Sequence, residues 1–239
     1  MPRLIEQFRA VAFDLDGTLV DSAPDLADAA NAMLKARGLK VLLESRIAMF
    51  IGDGIDALVE RALGESADRS PGPAELREAA AVFRSLYGKR LFERGRVYPG
   101  VVEGLRALRE ANIARCCITN KHSTFTLPLL DAAGLAGLLD FALCADRPEH
   151  RKPAPYLLVA ACQRLGISPA KMLYVGDSRA DIEAARAAGC PVAVVDYGYS
   201  QGLSLAEQEP DWIIGSLEGL ATLPPADTDG RTSAERSSH

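Results

Sequence analysis

Apolar positions along the chain follow two rhythms. Residues 9–15 form a short apolar run that ends among aspartates, as a buried strand would. From about residue 22 to 95 the spacing becomes helical. Ala29, Ala30, Met33 and Leu34 recur at helical offsets, as do Ile55, Leu58, Val59 and Ala62, with no convincing strand between them. A polar break containing Gly and Pro at 64–73 divides the block, and a further helical run reaches about Tyr87. From Val97 onward the pattern alternates. Pro99 and Gly100 open a helix with Val101, Leu105 and Leu108 on one face, followed by a strand at 113–119 and a helix at 123–133 with Pro128 inside it. A strand at 141–145, a helix at 155–165 closed by Gly166, a strand at 172–175 and a helix at 178–188 stopped by Gly189 come next. Apolar segments at 192–195, 212–214 and 217–223 finish the series, and the polar tail 224–239 reads as disordered.

Alternating strands and helices imply a mostly parallel sheet with right-handed crossovers. The first strand is parted from the others by the helical block. The expected fold class is therefore α/β, a Rossmann-like three-layer core built from residues 1–21 plus 96–223, with an all-helical cap domain inserted at 22–95. Ligands of such sheets bind at the carboxyl ends of the strands, which directs attention to the loops there.

Those loops are rich in chemistry. Asp14, Asp16, Gly17 and Thr18 follow the first strand, Asn120 and Lys121 follow Thr119, and Lys152 lies beyond the strand at 141–145 with Arg147, His150 and Arg151. Asp177 and Ser178 follow the strand at 172–175, and Asp181, four residues after Asp177, projects from the same side of a helix start. Several carboxylates at one point require a cation, and an all-oxygen ligand set suits Mg²⁺. The three histidines, His122, His150 and His239, have no zinc-type spacing. Hydroxyl, amide and lysine groups beside a magnesium site are the equipment for a phosphoryl group. One carboxylate can serve as a covalent nucleophile and a second as general acid and base. Each piece alone has a structural reading, Asp177 as a helix cap or Lys152-Pro153 as a helix start. Their coincidence at one sheet edge favours a site.

Bulk composition narrows the partners. The 239 residues are 48% hydrophobic with a formal net charge of −5, enough for a substantial core and without the electrostatic footprint of a nucleic-acid or membrane-surface binder. The five cysteines show no CxxC pairing, and the opening MPRLIEQFRAV has no apolar signal core. A cytoplasmic monomer or homodimer acting on a small phosphorylated substrate is the expectation.

The stretches DLDGTLVDS (14–22), ITNK (118–121), RKPAP (151–155) and VGDSRADIEAARAAG (175–189) occur in this order, and the chain from about Ala10 to Leu223 resembles the haloacid dehalogenase-like superfamily. Among its branches it looks most like the phosphoglycolate phosphatases, through LVDSAPDLADA (19–29), IGDGIDALVERAL (51–63), VYPGV (97–101) and DYGYSQG (196–202). The resemblance implies that Asp14 attacks phosphorus and that Asp16 is the general acid/base, its carbonyl joining the Mg²⁺ shell. Thr119 and Asn120 would bind phosphoryl oxygens and Lys152 would neutralise charge. Asp177 would bind the metal, and Asp181 would do so directly or through water. A phosphosugar mutase or another sugar-phosphate phosphatase uses the same residues and stays open. Residues 51–54 suit either a loop facing substrate or a helix start. Asp53 and Asp56 nearby would repel a carboxylate-bearing substrate if they faced the site.

Overall fold

A computed structural model describes residues 7–222. The predicted tail 224–239 lies outside them. Six strands form one sheet: β1 (Ala10–Phe13), β4 (Ala114–Thr119), β5 (Phe141–Cys144), β6 (Met172–Gly176), β7 (Val192–Val195) and β8 (Trp212–Ile214). The order is β5-β4-β1-β6-β7-β8, and every pairing is parallel. Sequence order runs outward from β1 in both directions, so the topological switch point lies at β1, between β4 and β6.

Period-two alternation divides the strands between two apolar layers. Val11, Phe13, Leu173 and Val175 belong to one cluster, which Leu105 and Leu108 of α5 (Val101–Glu110) and Leu129 of α6 (Ser123–Ala132) complete. Ala10, Ala12, Met172 and Tyr174 face the other way, into a cluster with Leu158 of α7 (Tyr156–Leu165) and Ile182 of α8 (Arg179–Ala188). Burial on both faces explains why these strands read as continuous apolar runs. The core is the expected three-layer α/β sandwich.

Between its first and second sheet strands the chain forms α1 (Ala23–Lys35), α2 (Glu44–Ala48), α3 (Ile55–Ala67) and α4 (Pro73–Gly88). These helices bury a core of their own, including Met33, Ile47, Leu63 and Phe83, to which α6 contributes Phe125. A two-stranded antiparallel ribbon, absent from the sequence reading, sits where the insert leaves and rejoins the core. In it β2 (Val20–Asp21) pairs with β3 (Arg96–Val97). Asp25 reinforces the return crossing by accepting from the N–H groups of Arg94 and Gly95 at 2.8 and 2.9 Å. No helix among the described residues is long and apolar enough to cross a membrane.

Candidate active site

The carboxyl ends of β1, β4 and β6 bring the predicted residues to one place. β1 ends at Phe13, so Asp14 is the first residue past the sheet, with its N–H still bonded to the Val175 carbonyl at 2.9 Å. Its carboxylate is buried beside those of Asp177 and Asp181, and one oxygen of each lies within 4.8 Å of the others. Lys152 Nζ is 2.8 Å from Asp14 Oδ1 and 2.6 Å from Asp181 Oδ1. The contact to Asp14 lacks the direction of a hydrogen bond, leaving Oδ1 without a hydrogen-bond partner.

Three buried carboxylates face one ammonium, and the electrostatics register the excess. Burial pushes the Asp14 carboxyl up to about 7, with Lys152 opposing and Asp181 and Asp16 adding to the rise. Burial, then Asp181 and Asp14, hold the Asp177 carboxyl well above the usual carboxylate range. Asp181 goes the other way. Burial would raise it, but Lys152 and Ser178 outweigh that and lower it. Lys152 is likewise held above the ordinary lysine range by Asp14 and Asp181, against the cost of its burial.

Asp177 is fixed by Thr18 Oγ1, which donates to Oδ1 at 2.7 Å, and by the Tyr199 N–H, which donates to Oδ2 at 2.7 Å. A Cβ on Gly17, where φ is +89°, would come within 2.2 Å of Asp177 Oδ2, and one on Gly198 within 2.2 Å of the Asp177 Cβ. Only glycine lets both loops close on this carboxylate. The residues therefore fit a divalent cation: oxygen ligands only, an Asp14 oxygen that meets Lys152 but accepts no hydrogen bond, and a charge excess that a dication would cancel.

Asp181 has a different use. Its Oδ1 accepts from Lys152 Nζ and from the Tyr174 hydroxyl at 3.1 Å, while Oδ2 accepts from the N–H groups of Asp177 and Ser178 and from Ser178 Oγ. Five donors take up its acceptor capacity. A capping box with Ser178 also starts α8 here. Tyr174, in β6, receives a hydrogen bond from Lys152 at 2.9 Å. Its inward orientation follows from strand period, but its reach to Lys152 was not legible.

Asp16 points away from this cluster. Its carboxylate receives hydrogen bonds from Ser22 Oγ and from Lys121 Nζ, the latter at 2.8 and 2.9 Å to the two oxygens. Lys121 is buried, and its Nζ is 5.0 Å from the Tyr87 ring centroid. Sequence reasoning placed Lys121 beside the site and gave it no role. Thr119 Oγ1 accepts from the Lys121 N–H at 3.2 Å. The Asn120 amide joins two loops: its Oδ1 accepts from the Lys152 N–H at 2.7 Å, and its Nδ2 donates to the carbonyls of Gly52 at 2.8 Å and Lys152 at 3.1 Å.

Asp14, Asp16, Thr119 and Lys121 line a pocket whose other wall comes from the insert, including Gly52, Ile55, Asp56 and Arg84. Of residues 51–54, Gly54 is the N-cap of α3, as the helix-start reading expects, and Ile51, Gly52 and Gly54 line the pocket. The acidic residues feared as repulsive are paired, Asp53 with Arg61 and Asp56 with Arg84.

The haloacid dehalogenase-like hydrolase family model matches residues 8–189. A phosphoglycolate phosphatase of Nitrosospira multiformis is 47% identical over 209 residues, 87% of this chain and 92% of that protein. One from Escherichia coli is 39% identical, covering 90% of this chain and 92% of the relative. The crystal structure of a predicted phosphoglycolate phosphatase from Haemophilus somnus matches with a TM-score of 0.85 and 36% identity, over 90% of this chain and 96% of that one. The chain belongs to the haloacid dehalogenase-like hydrolases.

Proposed function

With that membership as the premise, we propose that the protein is a Mg²⁺-dependent phosphatase of small phosphomonoesters, with 2-phosphoglycolate as its leading substrate. The observation that carries the reading is Asp14. It stands at the switch point of the sheet, opens onto the pocket, pairs with Lys152 and keeps an oxygen without a hydrogen bond. The relatives' names point to the same substrate.

In the proposed reaction an Asp14 oxygen attacks phosphorus as the ester P–O bond breaks, giving phosphoaspartate and an alcohol. Asp16 delivers a proton to the departing oxygen, then takes one from the water that hydrolyses the phosphoaspartate. Lys121 Nζ donates to both Asp16 carboxylate oxygens and so fixes their position, and an incoming phosphoryl group would compete for that ammonium. The Thr119 hydroxyl and the Asn120 backbone N–H hold phosphoryl oxygens, while the Asn120 side chain fixes the Lys152 loop. Lys152 neutralises charge on the nucleophile. Asp14, Asp177 and the Asp16 carbonyl would hold Mg²⁺, which would offset charge on the carboxylates and phosphoryl oxygens. Asp181 acts by fixing Lys152 and the Asp177 loop, short of direct ligation. The helical segment 22–95 serves as a cap that keeps bulk water from the phosphoryl group. The five free cysteines accord with the reducing cytoplasm.

The deciding experiment is phosphate release from 2-phosphoglycolate with Mg²⁺, with EDTA, and with Mg²⁺ restored. Release that stops with EDTA and returns with Mg²⁺ is expected. Activity that needs no divalent ion overturns the metal assignment, and interconversion of hexose phosphates without net release overturns the phosphatase.

A further inference from the structure

The pocket has cations at both ends, but phosphoryl chemistry accounts for those at one end only. At the insert end, Arg84 of α4 donates to Asp56 Oδ1 of α3. Arg151, which immediately precedes Lys152 in the core, approaches the other oxygen of Asp56 at 3.9 Å. All three line the pocket that holds Asp14 and Asp16. One guanidinium would neutralise Asp56. Two leave a local charge of +1 facing the substrate space.

Arg151 is also incompletely bonded. Its Nε is buried and has no hydrogen-bond acceptor, although buried donors are nearly always satisfied. Its guanidinium packs against Gly54, where a Cβ would come within 3.2 Å of the guanidinium carbon, so the backbone there leaves it just enough room. Gly54 has no side chain to cap α3, and the uncapped first turn adds positive potential at the same wall.

We infer that Arg84 and Arg151 form a subsite for a carboxylate on the leaving alcohol of the substrate, with Asp56 orienting both guanidinium groups until that carboxylate arrives. The inference rests on the phosphatase reading and names its selectivity: esters whose alcohol bears a second anion, glycolate among them, over neutral esters. A planar guanidinium can meet a carboxylate with paired hydrogen bonds, and the carboxylate supplies the acceptor that Arg151 Nε lacks. Because Arg151 belongs to the core and Arg84 to the insert, a carboxylate held by both also joins the two parts of the molecule above Asp14.

The test compares kcat/KM for 2-phosphoglycolate and for ethyl phosphate, in which a methyl group replaces the carboxylate. Arg84→Met and Arg151→Met are each expected to reduce the ratio of the two values by roughly ten- to a hundredfold, mainly through KM for 2-phosphoglycolate. Arg151→Lys is expected to recover part of the ratio, and circular dichroism with thermal melting confirms folding. A ratio unchanged by either Met variant overturns the subsite, as does a native enzyme that uses both esters equally well. Calorimetric binding of 2-phosphoglycolate and ethyl phosphate to Asp14→Asn, with and without each Arg→Met change, separates the two layers. Arginine-dependent preference for 2-phosphoglycolate in a chain whose parent hydrolyses neither ester keeps the subsite and overturns the phosphatase. Hydrolysis with an arginine-independent ratio does the reverse.

Discussion

The two walls of the pocket are built on opposite principles. On the core side, Asp14 lines the pocket, and Asp177, Asp181 and Lys152 clustered around it are 2%, 0% and 3% exposed, locked by Thr18, Tyr174, Ser178 and backbone N–H groups. On the insert side, the side chains of Asp56 and Arg84 are 45% and 41% exposed, and Arg151, reaching them from the core, is 29% exposed, so these ion pairs stand open to solvent. Burial raises the strength of every charge interaction and the cost of misplacing one. A wall that performs chemistry gains from that rigidity. A wall that holds the leaving alcohol, as inferred for Arg84 and Arg151, would gain from charges whose water is cheaply displaced.

The contrast can be broken experimentally. The largest effect is expected at the core wall: Asp14→Asn should reduce turnover by roughly four orders of magnitude or more, the scale of losing a nucleophile. Mass spectrometry of acid-quenched enzyme should find a phosphorylated Asp14 in the parent and none in the variant, and near-normal turnover would end its role as nucleophile. Asp16→Asn should reduce turnover roughly a hundredfold, with a smaller loss in phosphoenzyme formation from aryl phosphates, whose leaving groups need no proton. Equal losses for alkyl and aryl esters in rapid-quench assays would count against proton delivery.

Stability sharpens the same comparison. Asp181→Asn removes a buried partner of Lys152 and should cost about 3–5 kcal/mol in urea unfolding. Asp53→Asn breaks an ion pair with Arg61 whose side chains are 36% and 40% exposed, and should cost about 0.2–1 kcal/mol with kcat unchanged. Comparable losses for the two variants would erase the distinction between the buried charges of the core and the solvent-open pairs of the insert.

The sheet was legible because its strands are buried on both faces and its helices are periodic. The order of Asp14, Thr119, Lys152 and Asp177 along the chain then followed from where strands end. What escaped the sequence depends on long-range pairing. The β2–β3 ribbon has only two residues per strand, too few for a period, and its partners Asp21 and Arg96 lie 75 positions apart. The neutralisation of Asp56 by Arg84 spans 28 positions, so the charge of Asp56 could be read and its partner could not. Lys121 was visible in the ITNK stretch, but its inward aim at Asp16 comes from the turn after β4 and carries no local signature.

That small ribbon also makes the architecture modular. The insert departs through Val20–Asp21 and returns through Arg96–Val97, positions that face each other as neighbours. Both covalent connections of the helices pass through this one closed stem, and lengthening a loop adds closure cost only logarithmically, about 0.6 kcal/mol per doubling. The helical segment is in this sense a cassette. Its loops can be lengthened or shortened above the stem while β1 keeps its register with β4 and β6, provided the contacts of Phe125 and Asn120 with the helices are kept.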